Sequence, residues 1–188
     1  AKARRYEQVT VMFTDFKNFT KMAERLTPEQ LVKELDDCFK AFDLIVSQYP
    51  DIEKIKTIGD AYMCASGFSG SRSAPNSITR AALEFQEYLQ DMKLQKQRLG
   101  LPFFEARIGL HTGPVVAGVV GSKKFSYDIW GDTVNLAARM EQNSEVGAIN
   151  VSENTYQLIR YNFKCAHRGR VQAKNKGMVD MYFVKQAI

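Results

Sequence analysis

The fold is decided by residues 52–65, which read IEKIKTIGDAYMCA. Two short runs of strand-forming residues, Ile52–Ile58 and Ala61–Ala65, flank the dipeptide Gly59-Asp60, and this pattern predicts a β-hairpin with a two-residue turn. Gly-Asp is a less usual turn sequence than Asp-Gly. The prediction therefore also depends on the segments that precede and follow the hairpin.

Those segments alternate between strand and helix patterns. Alternating apolar residues predict a strand over residues 9–15 and another over residues 104–111. Residues 27–30, Thr-Pro-Glu-Gln, are typical of a helix start, with a capping residue, a proline and an acid in the first turn. A second helix is predicted over residues 78–99. The order β-α-β-β-α-β is that of a ferredoxin-like unit, an antiparallel sheet with both helices on one face.

The remaining residues predict a C-terminal α/β extension. A strand is expected over residues 115–120, helices over 133–142 and 153–160, and a last strand over 178–184, while the Ser/Gly-rich residues 66–77 are expected to form a surface loop. The fold class is therefore α+β, with a ferredoxin-like βαββαβ core and an antiparallel-rich sheet covered by helices.

The composition is that of one folded domain spanning residues 1–188. Hydrophobic residues make up 45% and charged residues 25%, values that exclude a disordered chain. No apolar run approaches the roughly 18 residues of a membrane span, and no signal peptide is visible. The three cysteines form no CxxC pair, which favours a reducing, cytoplasmic location. The net charge of +5 is typical of a mixed surface charge.

Two aspartates are the strongest candidates for chemistry. Asp15 stands where the first strand ends and Asp60 in the hairpin turn, so the predicted topology brings both carboxylates to one edge of the sheet. Neighbouring carboxylates repel unless a cation lies between them, and Mg²⁺ prefers a few carboxylates together with substrate phosphates. Spacing alone leaves open that Asp60 is only a turn residue and Asp15 a helix cap. Two metals held there would serve an in-line displacement at phosphorus.

Other chemical signatures are missing from the sequence. It contains no GxxxxGK[ST], GxSxG or HExxH motif and no zinc-type spacing of cysteine and histidine. His111 and His167 are too few for a histidine-centred triad and are expected to be structural. The aromatic residues fall at core positions, so nucleic acid is not expected as a partner.

Three segments together carry a family resemblance. Residues 13–20 (FTDFKNFT), 54–60 (KIKTIGD) and 125–139 (FSYDIWGDTVNLAAR) resemble the class III nucleotidyl cyclase catalytic domain. The similarity extends from about Gln8 to Val184. The resemblance implies that Asp15, Asp60 and the backbone carbonyl of Phe16 bind two divalent cations, Mg²⁺ or Mn²⁺.

The same resemblance assigns the nucleotide. Lys56 and Asp128 match the pair that selects the purine: a lysine donates to N1 of adenine and an aspartate accepts from its N6 amine. Family members that act on GTP usually carry Glu and Cys or a similar small residue at these positions. The chain thus resembles an adenylyl cyclase; a guanylyl cyclase and a non-catalytic regulatory nucleotide-binding domain are the alternatives.

The resemblance also assigns the phosphate and ribose contacts. Asn135 and Arg139, four residues apart on one helix face, would orient the ribose and stabilise charge on the α-phosphate, and Lys174 would hold the terminal phosphates. A solvated loop charge is the alternative for Lys174. A helix opening with backbone amides that face the triphosphate is implied for four residues: Lys17, Asn18, Phe19 and Thr20. Asn18 and Asn175 replace frequent family glycines, and asparagine tolerates a positive φ.

The implied reaction converts ATP to 3′,5′-cyclic AMP and pyrophosphate at a dimer interface. In the family one chain lends the metal aspartates and the other lends the remaining groups, so a head-to-tail homodimer with two equivalent sites is expected. Residues 1–7 are expected to be the end of a linker from an upstream regulatory or sensor domain. A membrane-bound or multidomain protein with this domain on the cytosolic side fits that expectation.

Overall fold

Residues 2–188 are described by a computed structural model. Eight strands and five helices follow one another along the chain. Their bounds are β1 (Arg4–Phe16), α1 (Phe19–Arg25), α2 (Pro28–Ser47), β2 (Ile52–Ile58), β3 (Ala61–Ser66), α3 (Ala74–Arg98), β4 (Ala106–Val120), β5 (Ser126–Trp130), α4 (Asp132–Gln142), β6 (Ile149–Ser152), α5 (Glu153–Ile159), β7 (Phe163–Ala173) and β8 (Gly177–Ala187).

All eight strands form one sheet in the order β2-β3-β1-β4-β6-β8-β7, and β5 pairs with β4 outside this path. Only the β4–β6 pairing is parallel. The β1-α-β2-β3-α3-β4 part is the predicted ferredoxin-like core, and the rest is the predicted α/β extension. The predicted fold class is confirmed. No helix among residues 2–188 is both long and apolar enough to cross a bilayer.

The larger hydrophobic core lies between the sheet and helices α2 and α3. Phe42 of α2 and Phe85 of α3 stack with their ring centroids 4.0 Å apart, and both meet the buried ring of Tyr62 edge-on. Aromatic pairs in these arrangements stabilise a core beyond the area that they bury. Tyr62 follows the β2–β3 turn by two residues, so this packing fixes the position of Asp60.

The opposite face of the sheet packs against α4 and β5. Val11 of β1 and Met63 of β3 form a cluster there with Ala137 of α4 and Ile129 of β5. The β4–β5 hairpin therefore folds back over the hairpin of β2 and β3. This arrangement brings residue 128, which precedes Ile129, to the side chains of β2.

Two predicted boundaries are wrong. Strands predicted separately over residues 104–111 and 115–120 form the single strand β4, although Pro114 lies within it. Proline lacks an N–H donor, and the register of β1 against β4 shifts at this point, between Tyr6 and Val9, so no ladder hydrogen bond is needed there. Helix α3 begins at Ala74, inside the predicted loop, because Pro75 is accommodated in its first turn.

The first residues of the chain belong partly to the sheet. Arg4, Arg5 and Tyr6 pair with residues 115–117 of β4. This part of the predicted linker over residues 1–7 is therefore strand. The cysteines Cys38, Cys64 and Cys165 are all free, and the first two are buried.

Candidate active site

Asp15 and Asp60 meet at one edge of the sheet, as the sequence predicts. Asp15 is the penultimate residue of β1, and its partner across the β1–β3 pairing is Ala61, the neighbour of Asp60. Burial and the adjacent, hydrogen-bonded carboxyl of Asp15 raise the pKa of Asp60 to about 6. Two neighbouring carboxyl groups concentrate negative potential at this end of the sheet.

The backbone next to this pair is held firmly. The ring of Phe16 is buried and stacks on Phe104 with centroids 4.5 Å apart, and the amide of Lys17 donates to the carbonyl of Glu105 at 2.9 Å. The Phe16 carbonyl is therefore fixed beside Asp15. The Lys17 amide is engaged within the fold, which leaves the amides of residues 18–20 at the start of α1.

Asn18 acts as a clamp between α1 and the segment before β4. Its side chain donates to the carbonyl of Phe103 at 2.6 Å and accepts from the amide of Glu105 at 3.1 Å. Its φ is −110°, so this position needs no glycine. Phe19 packs against the main core, while Lys17 and Thr20 are exposed.

Lys56 and Asp128 lie side by side although 72 residues separate them in sequence. The Lys56 ammonium donates to one carboxylate oxygen of Asp128 at 2.7 Å, and the other oxygen accepts from the amide of Ile129 at 2.8 Å. The side chains are 42% and 15% exposed, so the pair opens to solvent on the lysine side. A fixed donor and a fixed acceptor at adjacent points can recognise the edge of a purine.

Asn135 and Arg139 project from one face of α4. The buried residues of this helix are Thr133, Ala137, Met140 and Glu141, which face the sheet. At 100° per residue, Asn135 and Arg139 lie on the opposite side of the helix. Arg139 donates to the Gln142 side chain at 2.6 Å, and its Nε atom is shielded without a partner among residues 2–188.

Lys174 lies in the turn between β7 and β8 and is exposed. Asn175 in this turn has a φ of 64°. This is the left-handed conformation expected for an asparagine that stands where the family often has glycine. Lys176 forms an ion pair with Asp132, the first residue of α4. The turn with Lys174 is therefore attached to the same helix that carries Asn135 and Arg139.

Two charged residues beside Asp15 were missed by sequence reasoning. Arg107 of β4 is the direct partner of Asp15 across the β1–β4 pairing, and its Nε lies 3.0 Å from a carboxylate oxygen of Glu141 in α4. Burial raises the pKa of Glu141 to about 7, with Arg107 acting in the opposite direction and Asp15 and Asp60 adding to the rise.

A model of the adenylate and guanylate cyclase catalytic domain matches residues 1–186. The chain belongs to this family. The cyclase domain is 40% identical over 183 residues to a protein of Mycobacterium tuberculosis named adenylate cyclase, an alignment that includes 97% of this chain and 40% of that protein. The domain therefore spans well under half of the length of this relative.

Solved structures agree with the family. The adenylyl cyclase CyaB from P. aeruginosa superimposes with a TM-score of 0.92 at 27% identity, covering 100% of this chain and 98% of that one. The guanylate cyclase domain of RhGC from Catenaria anguillulae, solved in complex with GTP, gives 0.89 at 31% identity, covering 98% and 100%. The cyclase fold is thus shared by relatives named for either nucleotide.

The residues at the sheet edge fit the divalent cations that cyclases of this class use. Asp15 and Asp60 offer hard oxygen ligands, and the pKa of Asp60 is raised by burial first and by repulsion from Asp15 second, both of which a bound cation would offset. One or two carboxylates completed by substrate phosphates is the donor set that Mg²⁺ prefers.

The unrelieved repulsion predicts a stability change in metal-free buffer. Because folding raises the pKa of Asp60 from 3.8 to about 6, ionised Asp60 destabilises the fold. This cost is absent well below pH 3.8, grows between pH 3.8 and about 6, and is fully present above that range. We expect Asp60→Asn to stabilise the cyclase domain at pH 7.5 by about 1 kcal/mol after solvent screening, a rise in Tm of about 2–4 °C.

Thermal unfolding in EDTA at pH 5 and pH 7.5 measures this effect. The difference between the variant and the unchanged protein should widen toward pH 7.5. A difference that is constant between the two pH values, or a less stable variant at pH 7.5, would contradict the proximity of the two carboxyl groups.

Proposed function

We propose that this domain is an adenylyl cyclase that converts ATP to 3′,5′-cyclic AMP and pyrophosphate. The family supplies the reaction class, and the Lys56–Asp128 pair is the observation that carries the choice of ATP. Adenine offers an acceptor at N1 and a donor at N6, which match an ammonium and a carboxylate held at adjacent points.

The reaction is an in-line attack of the ribose 3′-hydroxyl on the α-phosphorus. The 3′-oxygen forms the new bond to the α-phosphorus, and the bond from the α-phosphorus to the oxygen that it shares with the β-phosphate breaks. Pyrophosphate leaves with that oxygen, and the hydroxyl proton passes to solvent water. Asp15, Asp60 and the Phe16 carbonyl would hold two divalent cations, Mg²⁺ or Mn²⁺, which lower the pKa of the 3′-hydroxyl and neutralise the triphosphate when bound. The amides at the start of α1 would face the phosphates.

The remaining groups act on the ribose and the departing charge. Asn135 would orient the ribose, Arg139 would stabilise the negative charge that grows on the α-phosphate oxygens, and Lys174 would bind the terminal phosphates. Preorganised cationic donors of this type contribute several kcal/mol to the transition state. The Lys176–Asp132 contact supports a shared position for Lys174 and α4.

The two groups of residues face different directions, which supports a homodimer. Asp15 and Asp60 lie near Glu141 on the sheet side of α4, whereas Asn135 and Arg139 lie on its far side. One chain therefore offers them to separate regions of its surface. In a twofold, head-to-tail homodimer, Asp15 and Asp60 of each chain would face α4 of the other chain, which would create two equivalent sites.

The nucleotide assignment predicts a large preference for ATP. We expect kcat/KM with Mn²⁺ to be at least about a hundredfold higher for ATP than for GTP, since guanine would leave the Lys56 ammonium and the Asp128 carboxylate without complementary partners. In the double variant Lys56→Glu/Asp128→Cys the preference should shift to GTP. Equal rates for both nucleotides in the unchanged protein would contradict the role of the pair.

Two alternatives are separated by the same assay. A guanylyl cyclase, which the RhGC relative makes worth testing, would prefer GTP before any substitution. A non-catalytic regulatory domain would produce neither cyclic nucleotide. ATP as substrate fits a cytoplasmic location. A regulatory or sensor domain elsewhere in the full protein fits a relative of which this domain spans 40%.

A further inference from the structure

Arg107 and Glu141 form a shielded ion pair next to the proposed metal ligands. Their side chains are 22% and 9% exposed, and Arg107 Nε lies 3.0 Å from Glu141 Oε2. Both atoms are inaccessible to solvent, and neither makes a hydrogen bond of good geometry within residues 2–188. The contact is therefore mainly one between opposite charges in a poorly solvated place.

The backbone of Glu141 is fixed by close packing. A Cβ atom added to Gly109 of β4 would lie 2.0 Å from the amide nitrogen of Glu141, so only glycine permits this approach of α4 to the sheet. Arg107 is fixed in turn as the β4 partner of Asp15. Both charges are thus placed by the fold itself and not by flexible loops.

Other charged groups lie near the Arg107–Glu141 pair, at the end of the sheet that carries Asp15 and Asp60. Arg107 is the strand partner of Asp15 and lies against Glu141, and the charges of Asp15 and Asp60 in turn act on Glu141. A bare guanidinium beside Asp15 would repel divalent cations, because like charges a few ångströms apart in a partly buried site interact strongly. Glu141 is the acid in contact with this guanidinium.

We propose that Glu141 is a positioning residue that holds and neutralises Arg107, so that divalent cations bind beside a paired guanidinium and not beside a free positive charge. The inference rests on the proposed function, which assigns the cations to Asp15 and Asp60. Glu141 acts through Arg107 and touches neither cation nor nucleotide.

The proposal is tested by titrating the intact protein with Mn²⁺ alone and following free Mn²⁺ by electron paramagnetic resonance. Glu141→Gln should weaken Mn²⁺ binding about tenfold, because it leaves the charge of Arg107 unpaired. Glu145→Gln removes the same charge from an exposed position after α4 and should bind Mn²⁺ as the unchanged protein does. Circular dichroism of each variant controls for folding.

The double variant Arg107→Gln/Glu141→Gln separates charge pairing from packing. It removes both charges, so Mn²⁺ affinity should return to within about threefold of the unchanged protein. Unaltered binding in Glu141→Gln, or a double variant as weak as the single one, would overturn the proposal. Asp60→Asn tests the proposed function separately. If this variant binds Mn²⁺ as the unchanged protein does, the assignment of the cations to Asp15 and Asp60 is wrong.

Discussion

Asp60→Asn is expected to lower kcat for cyclic AMP formation by at least about a thousandfold. The substitution preserves the size of the side chain but replaces a charged ligand of two proposed divalent cations with a neutral amide. Cations that neutralise charge at a transferring phosphate supply several kcal/mol of transition-state stabilisation, so the loss of one ligand set has a large effect. Initial rates with Mn²⁺ and ATP measure it.

The stability of the same variant makes this result interpretable. Because Asp60→Asn is expected to be more stable than the unchanged protein at pH 7.5, lost activity cannot be attributed to unfolding. Asp91→Asn makes the same chemical change at an exposed position of α3 and should retain full activity. An Asp60→Asn protein with ordinary turnover would show that this carboxylate holds no essential cation.

Arg139→Ala is expected to reduce kcat by about a hundredfold to a thousandfold, with a smaller change in KM. Its proposed role is to bind charge that appears only in the transition state, and such contacts affect the rate more than ground-state binding. Arg139 is half-buried and its one side-chain hydrogen bond is to Gln142 on the same helix, so the fold should tolerate the change. Arg160→Ala removes an exposed arginine at the end of α5 and serves as the control.

Mixing the two inactive variants tests the shared site. If each site combines the Asp60 of one chain with the Arg139 of the other, a mixed dimer contains one doubly altered site and one intact site. Random exchange in an equimolar mixture makes half of the dimers mixed, so about a quarter of normal activity should return. Exchange of subunits is followed by fluorescence transfer between labelled chains; exchange without recovered activity would place both residues in one site of one chain.

Local patterns were sufficient to predict the elements that carry Asp15 and Asp60. A strand that ends in an acid and a Gly-Asp turn between two strands are written in consecutive residues, and the topology then brings them together. The Lys56–Asp128 contact was predicted only through the family resemblance, since 72 residues separate the two. Local periodicity contains no information about a hairpin that folds back over a sheet.

What the sequence did not predict depends on contacts between distant segments. The Arg107–Glu141 pair needs the close approach of α4 to Gly109, which only the packed structure reveals. The continuity of β4 through Pro114 depends on a register shift in another strand. Asn18 was expected to occupy a glycine-like conformation, but its side chain binds the segment before β4 and its φ is negative.

The Lys56–Asp128 pair also constrains how nucleotide preference can evolve. The two residues satisfy each other before any nucleotide arrives, and Asp128 is only 15% exposed. Replacing Lys56 alone would leave the poorly hydrated Asp128 carboxylate without its cation. Replacing Asp128 alone would leave the Lys56 ammonium unpaired next to the purine. A lineage that moves from one purine to the other must therefore pass through an unfavourable single mutant or acquire both changes together, which makes the trait resistant to drift.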